Sequence, residues 1–72
     1  MITKRATETN REVYRNGLAA ISCIASIKGT TQWDANPKIY NELVMAWRND
    51  DRAALEVARS RAHLEARRAC RG

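Results

Sequence analysis

From Val13 onward apolar side chains return every three or four residues, at Val13, Tyr14, Leu18, Ile21, Ile24, Ala25 and Ile27. That step lays them along one stripe of an α-helix. The start of the stripe is marked: Thr9 and Glu12 stand three apart, so the Thr9 hydroxyl can cap the third helical amide while the Glu12 carboxylate reaches back to the amide of Thr9. Its end is marked too, because Gly29 suits a left-handed cap and the Lys28 charge is favourable beside the last carbonyls. The pattern predicts a helix over about residues 10–28. Gly17 lies inside it at a cost of about 1 kcal/mol relative to alanine, which close approach of another helix would justify.

The segment Thr30 to Asn36 is rich in turn residues and reads as a loop carrying Trp33. Asn36 followed by Pro37 pairs a cap residue with a residue suited to the first helical position. A second helix over about 37–48 follows, with Ile39, Tyr40, Leu43, Val44 and Trp47 as its stripe. It ends where Asn49, Asp50 and Asp51 favour caps over helix interior. A third helix over about 51–69 starts at once, capped by Asp50 or Asp51. Leu55, Ala58, Ala62, Ala66 and Ala69 form its narrow seam, joined at the edge by Val57 and Leu64. At about 1.5 Å per residue this helix is near 30 Å long, so its far end is expected to project beyond the second helix or to meet another molecule. Residues 1–8 show no period and read as a flexible arm carrying Lys4 and Arg5.

These elements predict a single all-α domain over residues 1–72: a small three-helix bundle or an open helical array with a long basic C-terminal helix. Seventy-two residues leave room for only one core. Of the 44% apolar residues much is alanine, and phenylalanine is absent. The core should be thin, and self-association is a common remedy for chains of this size.

Candidate chemistry is sparse. Cys23, Cys70 and His63 cannot complete a tetrahedral zinc set. No apolar segment follows Lys4 and Arg5 as in a secretory leader, so both cysteines read as reduced thiols in a cytoplasmic protein. The longest apolar stretch, Leu18 to Ile27, is too short for a membrane span. His63 has Arg59 and Arg67 as helical neighbours, which orient nothing for catalysis, and the pairs Asp50–Asp51 and Glu8–Glu12 are explained by capping. Gly17, Gly29 and Gly72 are scattered, so no glycine-rich loop cradles phosphate. The expectation is a protein without catalytic, cofactor or metal site, and with no small-molecule substrate.

Charge says more. Up to Glu56 the chain carries eight basic and seven acidic side chains, whereas from Val57 to Gly72 it carries five basic and one acidic, so most of the net +5 sits in the last helix. Arg59, Arg61, Arg67, Arg68 and Arg71 wrap much of that helix rather than forming one stripe. They read either as favourable cations at a helix C-terminus or as a footprint for phosphate or an acidic protein surface. A helix-turn-helix reader of DNA is disfavoured, because the N-terminal end of the last helix carries Asp50 and Asp51 where phosphates would lie. Tyr14, Tyr40 and Trp47 fall on apolar stripes and read as core, while Trp33 reads as a lid on that core or an exposed anchor.

Two readings follow. In the first, a small regulatory or accessory protein of inhibitor or adaptor type docks on a larger protein, or on a second copy of itself, through Trp33 and the arginines of the last helix. In the second, those arginines, with Lys4 and Arg5, clamp nucleic-acid backbone with little regard to sequence. The first is preferred, because acidic residues interspersed along the first two helices leave no extended basic face.

Overall fold

A computed structural model describes residues 8–71. It contains four helices in chain order, α1 (Asn10–Lys28), α2 (Gln32–Ala35), α3 (Pro37–Arg48) and α4 (Arg52–Arg71), and no strand among the described residues. This is a small all-α fold with a long C-terminal helix. The arm read over residues 1–8 lies outside the described residues except for Glu8, which is held: its backbone carbonyl accepts a hydrogen bond from Arg52, and its carboxylate meets Arg59 at 2.7 Å.

The caps fall where residue chemistry puts them. At the start of α1 the Glu12 amide donates to Thr9 Oγ1 at 3.2 Å, and the Thr9 amide donates to Glu12 Oε1 at 2.9 Å. Gly29 closes α1 with φ +70°, where the Thr30 amide returns to the Ala25 carbonyl. Asn36 Oδ1 accepts from the Ile39 amide ahead of Pro37. Of the two acidic residues before α4, Asp51 is the cap, accepting the Ala54 amide at 3.1 Å. Asp50 ends α3 instead, in the left-handed region with φ +55°. Its amide bonds the Trp47 carbonyl and the Asp51 amide bonds the Ala46 carbonyl, which satisfies the last groups of α3. Aspartate is among the few side-chain-bearing residues that visit this region readily.

The segment around Trp33 is a correction. Residues 32–35 form a single helical turn, not a loop, because the Thr31 hydroxyl accepts the Asp34 amide at 3.1 Å and caps it. Lys28 Nζ and the side-chain pair Gln32–Ser22 then tie this turn to α1.

The three long helices run up, down and up. Asn10 Nδ2 donates to Asp50 Oδ1 at 2.6 Å, which joins the start of α1 to the turn before α4. At the other end Ile24 and Lys28 share a small cavity with Ala35 and Ala69. Hence α1 and α4 are parallel neighbours along their length, and α3 runs against both. This removes the expected overhang: the second helix is too short to cover α4, but the 19-residue α1 is not, and Ala66 and Ala69 remain partly buried against the core.

The core holds Val13, Ile21, Ile24, Ile39, Leu43 and Leu55, completed by six alanines, with no buried polar or charged residue among the described ones. The molecule is a slab 40 × 30 × 14 Å. Its thickness equals about one interhelical spacing plus one backbone cylinder, so every helix keeps an outer face in contact with solvent. Gly17 marks the closest approach. A Cβ there would lie 2.7 Å from Leu43 Cδ2 and 2.9 Å from Cδ1, and Leu43 is fully buried with nowhere to retreat.

Several large side chains expected inside are not. Ile27 lies near the end of α1, at the edge of the stripe formed by Val13, Gly17, Ile21 and Ile24, and is exposed. Val57 and Leu64 do not edge the α4 seam: Leu55, Ala58 and Ala62 face inward, and at 100° per residue Val57 and Leu64 point nearly opposite. Trp47 is half-exposed on the flank of α3.

Candidate interaction surfaces

Two outward features follow from this packing. The first is aromatic. Tyr14 on α1 stacks on Trp47 of α3, with centroids 5.0 Å apart and planes 14° from parallel. Trp33 on α2 meets Tyr40 of α3 edge-on at 5.6 Å. Tyr40 and Trp47 are two turns apart on one side of α3, so all four rings follow the outer seam between α1 and α3. Leu18 and Val44, both half-buried, lie between the pairs by helical phase. Burial, reinforced by the neighbouring Tyr40 phenol, pushes the Tyr14 hydroxyl above its ordinary value of 10.0. Trp33 is 51% exposed and Trp47 39%, so Trp33 is not buried as a lid; it packs at right angles to Tyr40 and leaves about half its surface to solvent.

Arginines border this seam. Arg11, Arg15 and Leu18 follow the i, i+4, i+7 step on α1, and Tyr40, Val44 and Arg48 the i, i+4, i+8 step on α3. Arg11, Arg15 and Arg48 are exposed and have no ion-pair partner among the described residues. Sequence reading missed them because it weighed charge over residues 1–56 as one block, where eight basic and seven acidic side chains nearly balance. Their i, i+4 placement beside ring-bearing positions was the available signal.

The second feature is α4. Of its five C-terminal arginines, Arg59 is held by Glu8 at 2.7 Å, Arg61 by Glu42 at 3.0 Å and Arg68 by Glu65 at 3.4 Å. Arg67 and Arg71 have no such partner among the described residues. The predicted cluster is thus divided: Arg59 points toward the start of α1, Arg61 toward α3, Arg68 borders the small cavity shared with Ile24, Lys28 and Ala35, and Arg67 and Arg71 are exposed. Lys4 and Arg5 lie outside the described residues. Beside α4, an open groove of about 530 Å³ runs along α3, lined by Met45, Ala53, Val57 and Arg61 among others.

His63 is exposed, and Cys23 and Cys70 are exposed free thiols. No helix among the described residues is long and apolar enough to cross a membrane. The fold and its surfaces define a small all-α protein with an aromatic seam on one side and a long, partly arginine-bearing helix on the other. No family model, curated protein or solved structure matches the chain.

Proposed function

We propose that this chain is a small non-catalytic docking module that binds a larger protein through the α1–α3 seam. The observation that carries the reading is the gathering of all four aromatic rings on that seam, bordered by Arg11, Arg15 and Arg48. Tryptophan, tyrosine and arginine are the residues most enriched where protein interfaces concentrate their binding energy. The arginines fit a partner surface that is acidic around an apolar centre.

A phosphate clamp on α4 is the second reading, favoured by the net charge of that segment. It is the weaker one, since three of the five arginines already have carboxylate partners. Exposed pairs of this kind contribute only about 0–1 kcal/mol, so phosphate can compete for them, but Glu8, Glu42 and Glu65 stay nearby and repel it. On the aromatic seam each ring already spends part of its surface on another ring, which leaves less platform for stacked bases.

The test uses the tagged full-length chain, partners that copurify with it, and the variants Trp33→Ala and Arg15→Glu, both at exposed positions. Affinity for a purified partner is expected to fall at least tenfold in each, about 1.4 kcal/mol, with helicity unchanged. Equal affinity of both variants and wild type removes the reading. Retention of labelled DNA or RNA that falls steeply with salt supports the clamp instead.

A further inference from the structure

The arginines of the α1–α3 seam are not spread along it. Arg11 and Arg15 flank Tyr14 in the chain and Arg48 follows Trp47, so all three border the stacked ring pair at one end. No carboxylate answers them. None of the three is in an ion pair among the described residues, and Asp50, the acidic residue nearest Arg48 in the chain, is turned to Asn10, which also meets Arg52 of α4. At the other end of the seam the charge changes sign: Asp34, exposed and in no ion pair among the described residues, follows Trp33 in α2. Half-buried Leu18 and Val44 lie between. Resting on the docking reading above, we infer that the occupant of this seam is one amphipathic helix of the partner protein, with its acidic residues gathered at the end that meets Arg11, Arg15 and Arg48.

Spacing selects a helix. Tyr40 and Trp47 are seven residues apart on α3, a rise of about 10.5 Å, with Val44 at about 6 Å between them. A helix laid along α3 has the same rise, so its side chains at i, i+3 or i+4, and i+7 fall opposite the Trp33–Tyr40 pair, the Leu18–Val44 pair and the Tyr14–Trp47 pair in turn. An extended strand repeats its same-face side chains about every 6.8 Å, so its third falls about 3 Å beyond the Tyr14–Trp47 pair. That is the poorer match.

Charge selects the sequence of that helix. Three unpaired guanidinium groups around one ring pair favour carboxylates, which they can bind through two parallel hydrogen bonds each. Asp34 disfavours carboxylates at the opposite end. A helix acidic along its whole length, or basic, therefore fits less well than one acidic at a single end.

Trp33 and Trp47 are the chain's only two tryptophans, and both are on the seam, so tryptophan emission reports its occupancy directly. The experiment selects binders of the full chain from a displayed library of 16-residue peptides with no imposed fold, then titrates them while emission and circular dichroism are read. The selected peptides are expected to carry apolar residues at i, i+3 or i+4, and i+7, and Asp or Glu at one end. They should shift the emission to the blue and gain helicity on binding. Amides in place of the peptide's carboxylates, or Arg15→Glu in the chain, should weaken binding at least tenfold, and the loss should shrink as salt is added. Selected peptides that are basic, acidic throughout or alternating in apolar residues overturn the inference, and so does the absence of any. Phosphatidylserine vesicles that shift the emission when no peptide is selected overturn it in favour of a lipid surface. A copurified partner that Trp33→Ala loses, while no such helix is selected, overturns the helix and leaves the docking reading standing, so the two failures are distinguishable.

Discussion

The two faces of α1 are packed by opposite means. Against α3 it offers a glycine and a tyrosine: Leu43 fills the hollow at Gly17, and Tyr14 lies flat on Trp47. Against α4 it meets alanines, at 58, 62 and 66, and the contact is finished by charge at its N-terminal end, where Glu8 receives Arg52 and Arg59. The first interface gains from large surfaces fitted to each other. The second gains from closeness along nearly the whole length of α1, with little apolar area per residue. A thin core can thus be built in two ways within one 72-residue chain, and they should fail differently.

The largest effect is expected at Leu43. Leu43→Ala should cost about 2–5 kcal/mol, since the surroundings relax only partly around the void. In a chain this small that is enough to leave much of it unfolded at room temperature, which a denaturant titration reads directly. Ala62→Leu probes the other interface. Ala62 is fully buried where α1 and α4 are close, so added bulk should cost about 1–3 kcal/mol by forcing the helices apart.

Gly17→Ala sharpens the contrast because its sign depends on its neighbour. In the wild-type background the new Cβ meets Leu43 below 3.0 Å. The overpacking cost of about 1–3 kcal/mol outweighs or cancels the gain of about 1 kcal/mol in helix propensity. In the Leu43→Ala background the clash is gone, and the same substitution should stabilise by about 1 kcal/mol. A double-mutant cycle in urea measures the difference, and additivity would show that Leu43 does not fill the Gly17 hollow. Arg59→Ala should matter less. Its pair with Glu8 is partly exposed, worth at most about 1 kcal/mol, and the loss should shrink as salt is added.

How far the sequence revealed these two faces differs between them. The helices α1, α3 and α4 were legible to within two residues at each end, because their caps are side-chain chemistry that periodicity and spacing expose. The one-turn α2 was not, since four residues carry no period; only Thr31 and Asp34, a cap residue and its target, marked it. The inward alanines of α4 were legible as a seam. The direction of Val57 and Leu64 was misjudged because a stripe of alanines is too weak to fix the helix phase without a neighbour. Trp47 was assigned to the core for a related reason: a stripe shows which side of α3 faces α1, but not that a slab of two helix layers leaves the flank of that side open. The arginines of α4 were visible as charge, and the Arg68–Glu65 pair is contained in its three-residue spacing, but the capture of Arg59 by Glu8 and of Arg61 by Glu42 depends on the up-down-up order, which residue spacing does not contain.

The smallest expected effect separates the aromatic seam from everything else in the fold. The Tyr14 hydroxyl is held above its ordinary value of 10.0 by burial and by the Tyr40 phenol. An acid whose folded value is raised binds its proton more tightly folded than unfolded. The stability it contributes is therefore whole below about pH 10 and is lost as pH climbs through the folded-state value. Tyr14→Phe keeps the ring and its stacking on Trp47 but removes the titration. The two proteins should melt at similar temperatures near neutrality and diverge above about pH 10, with the variant the more resistant to alkali. Tyr40→Phe removes one of the two causes and should bring the Tyr14 phenolate absorbance in at lower pH than in wild type. If wild type and Tyr14→Phe lose stability in parallel as pH rises, the ring of Tyr14 is as well hydrated in the folded chain as in the unfolded one. The α1–α3 seam would then be an open surface with no more apolar shelter than the alanine interface opposite.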